Sequence, residues 1–310
     1  MSDRPSRPPL LRARGATVRY GAVGNRAVTA LDALDLEIPG AGITCLLGAN
    51  GAGKTTLLEA ASGLRRLTSG DLEVLGCAPG SPANRQELGV MLQDGGLPGS
   101  ARPAEFLSYV SRLYPRPRDV AEVMASVEIA DCARTPIRRL SGGQAKRVAW
   151  AAAMIGDPTA MILDEPTTAL DPIGRARMHE VLEAQRNCGS ALVLSTHLIE
   201  DVDALADYIV VMREGRVVLS GTPEELRPRN RIELRAPSHL DVDGLLGALP
   251  TGSTCSEITP GRYRVQVPGD IDPASVATLT SWCAQHGVAP DVSIADLGSV
   301  LRDAIAGQGP

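Results

Sequence analysis

Gly48-Ala49-Asn50-Gly51-Ala52-Gly53-Lys54-Thr55-Thr56 follows the apolar run 43–47 and precedes a helical pattern that opens at Lys54. A short apolar run bounded by glycine reads as a buried strand. The nonapeptide therefore joins a strand to a helix, the setting that a phosphate-binding loop of the form Gly-x4-Gly-Lys-Thr requires. Its glycines let the backbone curl until successive N–H groups point inward at phosphate oxygens. The start of the following helix adds partial positive charge there. Lys54 brings a point charge to the outer phosphates, and the Thr55 hydroxyl suits Mg²⁺. The plainer reading is a glycine-rich turn without a ligand. Residue usage weighs against it. Of 31 basic residues only Lys54 and Lys146 are lysines. Where arginine has displaced nearly every lysine, position 54 still carries a compact ammonium that fits within such a curl, as a planar guanidinium would not.

Outward from this loop, residues 16–20 and 28–38 read as strands, with Leu34, Leu36 and Ile38 alternating against Asp35 and Glu37. Gly21 and Gly24-Asn25 supply the turn between them. Residues 103–129 follow a helical pattern broken by Pro115 and Pro117. Residues 148–156 form the longest apolar run and read as a buried helix. Residues 160–163, 191–194 and 208–212 are further short apolar runs with helical stretches between them. Such alternation predicts an α/β fold with a parallel sheet and helices on its faces. Beyond Gly221 the character changes. Residues 227–230 look like a linker, and 231–236 and 262–267 alternate as strands, with Tyr263, Val265 and Val267 on one face. Helices are expected near 272–286 and 295–306. The expected organisation is a flexible leader at 1–13, a large domain at 14–226 and a small α+β domain at 230–310.

Asp164-Glu165 ends the apolar run 160–163. Asp164 is of the type that holds Mg²⁺, and Glu165 would then stand near the γ-phosphate, able to polarise an attacking water. An acidic pair after a strand is otherwise often a solvated turn. Leu140-Ser141-Gly142-Gly143-Gln144 opens a helix expected to begin near Gln144. Ser141 and the glycine amides would make a second anion site at a helix start, although a serine there also serves as an ordinary N-cap.

The rest of the composition excludes several classes. The net charge of −5 argues against nucleic-acid binding, which needs a basic face. Six cysteines are spread without zinc-site or redox-pair spacing and read as small residues of a reducing compartment. The Arg/Pro-rich start lacks the apolar core of a secretory signal. No apolar run approaches the ~20 residues of a membrane span, so any action at a membrane is expected to pass through a partner.

In order and spacing, Gly48–Thr56, Gln93, Leu140–Gln144, Asp164-Glu165, Ala169-Leu170-Asp171 and His197 resemble the ATP-binding cassette (ABC) ATPases over residues 14–226. The resemblance implies a P-loop NTPase cassette with a parallel core sheet, an antiparallel β subdomain and a helical signature subdomain. It implies ATP and Mg²⁺, and two cassettes facing head to tail. Each ATP would lie between the phosphate loop of one copy and Ser141, Gly142, Gly143 and Gln144 of the other. Gln93 would contact Mg²⁺ and the attacking water. His197 would touch the γ-phosphate, Asp171 would bridge the copies, and Tyr20 would stack on adenine. Ala49 stands where the family often has proline, which alters loop stiffness and not ligands. Lys146 reads as a solvated or partner-facing residue.

One cassette without a span implies separate polytopic membrane permease subunits, with the chain peripheral on the inner face of a bacterial membrane. The segment 97–114 would face that partner. Leu107, Val110 and Leu113-Tyr114 form either a docking stripe or core. The short C-terminal α+β segment resembles the ATPases of bacterial two-component drug, antibiotic and lipid exporters, and export is the leading expectation. The rival is a soluble ABC ATPase acting on nucleic acid or ribosomes. Those usually have a long coiled-coil insertion or two cassettes in one chain, and neither is present.

Overall fold

The computed structural model describes residues 7–21, 27–93, 96–238, 240–288 and 291–307. The expected turn residues Gly24 and Asn25 lie outside them. The chain divides into two compact units, one reaching to Pro223 and the other running from Glu224 to Asp303.

The first unit holds two sheets. Strands β1 (Leu11–Tyr20), β2 (Val28–Ile38) and β4 (Ser69–Val74) form an antiparallel sheet in the order β2-β1-β4. The expected leader is therefore too long. Leu10 and Leu11 are fully buried, Ala13 is buried, and Arg12 between them turns outward to pair with Glu37. The alternation of a sheet strand had been hidden in an arginine- and proline-rich stretch, and residues 11–13 belong to β1.

The second sheet has the order β5-β6-β7-β3-β8-β9, built from β3 (Gly42–Leu47), β5 (Leu88–Met91), β6 (Ala160–Asp164), β7 (Ala191–Ser195), β8 (Tyr208–Arg213) and β9 (Arg216–Gly221). All pairs are parallel except β8 with β9. Every residue of β6 and β7 is buried, which is why these strands read as unbroken apolar runs and not as alternating ones. Helix α1 (Lys54–Ala61) packs between the sheets, and its Leu57, Leu58 and Ala61 join Leu11, Val18, Ile38, Leu46 and Val210 in one core.

Helices α2 (Pro82–Glu87), α3 (Pro103–Ser111), α4 (Val120–Ser126) and α5 (Gly142–Met154) lie between β4 and β6 in sequence. Helix α5 buries Val148, Trp150, Ala151 and Met154, the expected buried helix, and starts two residues earlier than its sequence suggested. Helices α6 (Pro172–Asn187) and α7 (Ile199–Leu205) complete the crossovers, and the single turn α8 (Pro223–Leu226) stands at the unit boundary. In a parallel sheet the loops after successive strands emerge on one edge, where ligand sites of such folds collect. Here Leu46 is level with Ser195, and Ser195 with Asp164. The turns after β3, β6 and β7 thus open side by side, with the segment after β5 next in order.

The second unit is an antiparallel sheet in the order β11-β12-β10-β13, from β10 (Arg231–Arg235), β11 (Thr254–Thr259), β12 (Arg262–Gln266) and β13 (Asp291–Ile294). Helices α9 (Val242–Ala248), α10 (Pro273–Gln285) and α11 (Leu297–Ala306) accompany it. Tyr263 and Val265 share one buried face with Ile232 and Leu234, against Leu245, Leu279 and Trp282 from the helices. No helix among the described residues is long and apolar enough to cross a membrane.

Candidate functional site

The loop after β3 folds as a curl that glycine permits. Gly48 has φ +156° and Gly53 φ +103°. A Cβ at Gly48 would stand 2.4 Å from the Met212 carbonyl oxygen, and one at Gly53 would stand 2.5 Å from that of Ala30. Lys54, only 7% exposed, turns its amine back into the curl and donates to the carbonyls of Gly48 (2.7 Å) and Ala49 (3.2 Å). Burial lowers the pKa of this ammonium, against the opposing pull of Glu165 and Asp164. A cleft of about 430 Å³ opens over the loop, lined by Asn50 to Thr56 and by Tyr20, Thr29, Gln93 and Glu165. Residues from five separate stretches of chain thus share one cavity.

Asp164 ends β6 fully buried. Its Oδ1 accepts the Ser195 hydroxyl, while its Oδ2 has no hydrogen-bond partner. A buried, unpartnered carboxylate oxygen is costly unless something electropositive reaches it. A hard divalent cation with oxygen ligands fits that requirement, and Thr55 and Gln93 are among the oxygen-bearing side chains that line the cleft over the loop.

Glu165 is held on several sides. Its N–H donates to Ser195 Oγ (2.8 Å), and its Oε2 accepts the Thr168 hydroxyl (2.9 Å). Its Oε1 lies 3.5 Å from Nδ1 of His197, a ring that is 48% exposed. The backbone of Glu165 is left-handed, φ +48°, and so is that of Ala169, φ +65°. Non-glycine residues keep this conformation only where the surroundings over-determine it. Behind this turn Asp201, fully buried, accepts from Thr167 (2.6 Å), Thr196 (2.8 Å) and His179 Nε2 (2.9 Å).

Ser141 caps α5. Its Oγ accepts the Gln144 N–H (3.2 Å), and Gln144 Oε1 accepts the Ser141 N–H in return (3.0 Å). The capping role and the anion-site expectation are compatible, because an accepting hydroxyl still has a proton to donate. Gln144 spends its side chain on the cap. Ser141 and Gly142 are exposed. Asp171, also exposed, caps α6 through the Gly174 N–H (2.7 Å). Tyr20 bonds Thr56 Oγ1 through its phenol (3.0 Å), and the Arg65 guanidinium lies 4.5 Å over its ring.

Lys146 departs from expectation. It is half-buried, and its amine donates to the carbonyl of Glu165 and, at 3.1 Å, to that of Thr168. Burial is the largest influence on its pKa and lowers it. Sequence reasoning also passed over Ser195, Thr168 and Asp201. Asp201 gave no signal, since residues 200–207 carry four acids and nothing local marks the buried one. Ser195 had one: a polar residue ending an apolar strand just before His197. Among the described residues no cluster of His, Cys, Asp and Glu has the makings of a metal centre.

The chain is similar to known proteins. A family model described as ABC transporter matches residues 31–168. The daunorubicin resistance ATP-binding protein DrrA3 of Streptomyces coeruleorubidus is 37% identical over 220 residues, covering 69% of this chain and 68% of that protein. The Fe(3+) ions import ATP-binding protein FbpC of Streptomyces coelicolor is 38% identical over 229 residues, covering 72% of this chain and 64% of that protein. Among solved structures, the dimeric post-hydrolysis state of the ATP-binding cassette MJ0796 bound to ADP and Pi is alike in fold, with a TM-score of 0.63 at 22% identity, covering 68% of this chain and 98% of that one. With the phosphate loop, the acidic strand end and the capped Ser141 helix in place, the chain belongs to the ATP-binding cassette family and is an ATP-hydrolysing subunit of an ABC transporter.

Proposed function

We propose that this chain energises export through separate polytopic membrane subunits, working as a head-to-tail pair of cassettes on the inner face of the membrane. The observation that carries the chemistry is that Lys54 and Glu165 line one cleft, while the neighbouring buried Asp164 acts with Glu165 on the Lys54 charge. The phosphates of ATP lie in the curl of residues 48–56, where Lys54 exchanges its two carbonyl partners for phosphate oxygens. Thr55, Asp164 and Gln93 would hold Mg²⁺, which would neutralise phosphate charge when bound. Glu165 accepts a proton from the attacking water, and the Thr168 and His197 contacts keep its carboxylate facing the cleft. His197 also reaches the γ-phosphate. Tyr20 offers adenine the ring face that Arg65 leaves open. Ser141, Gly142 and Gly143 of a second copy close over the nucleotide, with Asp171 at the seam.

A groove of about 500 Å³ supports a membrane partner. It is lined by Met91, Leu92, Leu97, Val110, Leu113 and Tyr114, on the segment that leads on from β5 past Gln93. Tyr109 and Leu113 are 63% and 64% exposed, whereas Leu107 is fully buried and belongs to the core. Exposed apolar residues beside an apolar groove suit a partner helix. The division proposed is an ATPase domain at 14–226, extended at its start to include β1, and a separate α+β domain at 230–310. Export is favoured over import by that small appended domain, in likeness to two-component exporters.

Two measurements test this. Glu165→Gln should abolish turnover and accumulate an ATP-bound dimer, and unchanged hydrolysis would overturn the base assignment. Solubilised membranes should yield the chain together with a polytopic subunit, and vesicles carrying both should move cargo away from the cassette side. Movement towards that side would make the system an importer.

A further inference from the structure

We propose that Lys146 is a positioning residue that ties the Ser141 helix to the catalytic turn 165–169 of its own chain, so that one ATP site senses the occupancy of the other. The inference rests on the head-to-tail reading given above and assigns a device within it.

Both lysines of the chain end on pairs of backbone carbonyls. Lys54 closes the phosphate loop on itself. Lys146 reaches across from α5 to the carbonyls of Glu165 and Thr168. These carbonyls belong to a turn whose two ends, Glu165 and Ala169, are left-handed without being glycine. The Glu165 peptide is pinned on its amide side by Ser195. On its carbonyl side it meets the Thr168 N–H at 3.4 Å and the Lys146 ammonium. A charged donor at a carbonyl is about twice as strong as a neutral one, so the ammonium is the dominant restraint there. Removing it loosens the backbone that carries the Glu165 side chain, whose carboxylate Thr168 and His197 touch directly.

The same helix carries Ser141 at its N-cap, and Ser141 is exposed to whatever closes over it. Lys146 lies five positions on from Ser141, about 7.5 Å along a rigid helix. A cleft of about 310 Å³ runs beside Lys146, lined by Gln93, Leu97, Gly142 and Ala169, so the helix has room to shift there. In the head-to-tail pair Ser141 closes on the second copy's ATP, while Glu165 acts on its own. Any tilt of α5 caused by the distant ATP therefore pulls on Glu165 through the Lys146 ammonium. The recipient is the attacking water's geometry, and no proton or bond changes hands at Lys146.

The test compares wild type, Lys146→Met, Lys146→Arg and Glu165→Gln as full chains. Lys146→Met keeps the length and apolar stem without the donors. Its kcat should fall about ten- to a hundredfold, as expected for displacement of a reacting group on the order of 1 Å. Its KM for ATP, its melting temperature and the ATP-driven dimerisation of the Lys146→Met/Glu165→Gln double variant should stay near their reference values. The Hill coefficient for ATP should drop towards one, and Lys146→Arg should recover part of both losses. A Lys146→Met chain with wild-type kcat and Hill coefficient overturns the proposal, and so does one that loses thermal stability or dimerisation in proportion to kcat. If Glu165→Gln retains turnover, the assignment of the base itself fails, which is a distinct result from a silent Lys146→Met beside an inactive Glu165→Gln.

Discussion

The carboxylate of Asp201, with no solvent exposure, accepts a 2.6 Å hydrogen bond from Thr167, two residues past Glu165. The same carboxylate holds Thr196, the neighbour of His197, at 2.8 Å, and His179 on α6 at 2.9 Å. One buried charge thus fastens the turns after β6 and β7 together, directly behind the groups that face the cleft.

This node makes stability depend on pH in a definite direction. Burial opposes the charge on Asp201, and the hydrogen bonds from His179, Thr167 and Thr196 outweigh it, so the carboxyl titrates below its ordinary range. A folded pKa below the unfolded value of about 3.9 means that the contribution is complete above that value and fades as pH falls through the folded pKa. Asp201→Asn should cost about 2–4 kcal/mol near neutrality, the range for a broken buried charged network. The gap to wild type should be flat above about pH 5 and should close below about pH 4. Urea melts across that range measure it. A gap that persists unchanged into acid would show that Asp201 is not charged in the folded protein.

The phosphate loop separates two glycine effects. Gly51 has φ +81° with open space around its missing Cβ, while Gly53 combines φ +103° with the Ala30 carbonyl 2.5 Å from where a Cβ would sit. Gly51→Ala should cost about 1–2 kcal/mol, the left-handed penalty alone. Gly53→Ala must also displace β2 or the start of α1, and should cost more and weaken ATP binding at least about tenfold, since the amides proposed to face the phosphates move with it. Thermal melts with nucleotide titration distinguish the two. Equal effects would mean that the loop tolerates a shift at Gly53.

What could be read without coordinates followed a physical division. Lys54, Asp164 and Ser141 are legible because each stands at a strand end or helix start where local pattern fixes its setting. β3, β6, β7 and β8 are legible because strands buried on both faces are apolar throughout. Strands β4, β5, β9, β11 and β13 were missed. Each lies at a sheet edge, and β4 exposes most of its residues, as in Ser69-Gly-Asp-Leu-Glu-Val74, where only Leu72 and Val74 are buried. The pairing of β4, β5 and β13 is supplied by a distant strand, which a local window does not contain. The inner supports of the site were illegible for a related reason. Ser195, Asp201 and Lys146 act on atoms 19 to 34 residues away, by hydrogen bonds that no spacing rule encodes.

The second unit has its own charged centre. Asp303 accepts from Arg231 at 3.1 Å and from Arg264, and Arg231 is only 5% exposed. The Arg231 pKa is lowered, first by burial and then by the neighbouring Arg264 charge. Two guanidiniums sharing one carboxylate is an unequal bargain. Removing Asp303 leaves both without their directly paired carboxylate, with only the more distant pull of Glu233 on Arg231, whereas removing Arg264 leaves a matched pair. Asp303→Ala should therefore destabilise this unit by about 3–5 kcal/mol. Arg264→Met, which trades a largely buried charge beside Arg231 for apolar bulk, should change it by less than about 1 kcal/mol. Hydrogen exchange of the β10 and β12 amides reads this unit directly. Asp303→Ala should lose protection there while β6 and β7 keep theirs, because the two units have separate cores. Undiminished protection in β10 would mean that the sheet does not depend on this carboxylate, and equal losses for both variants would mean that the arginines matter for packing and not for charge.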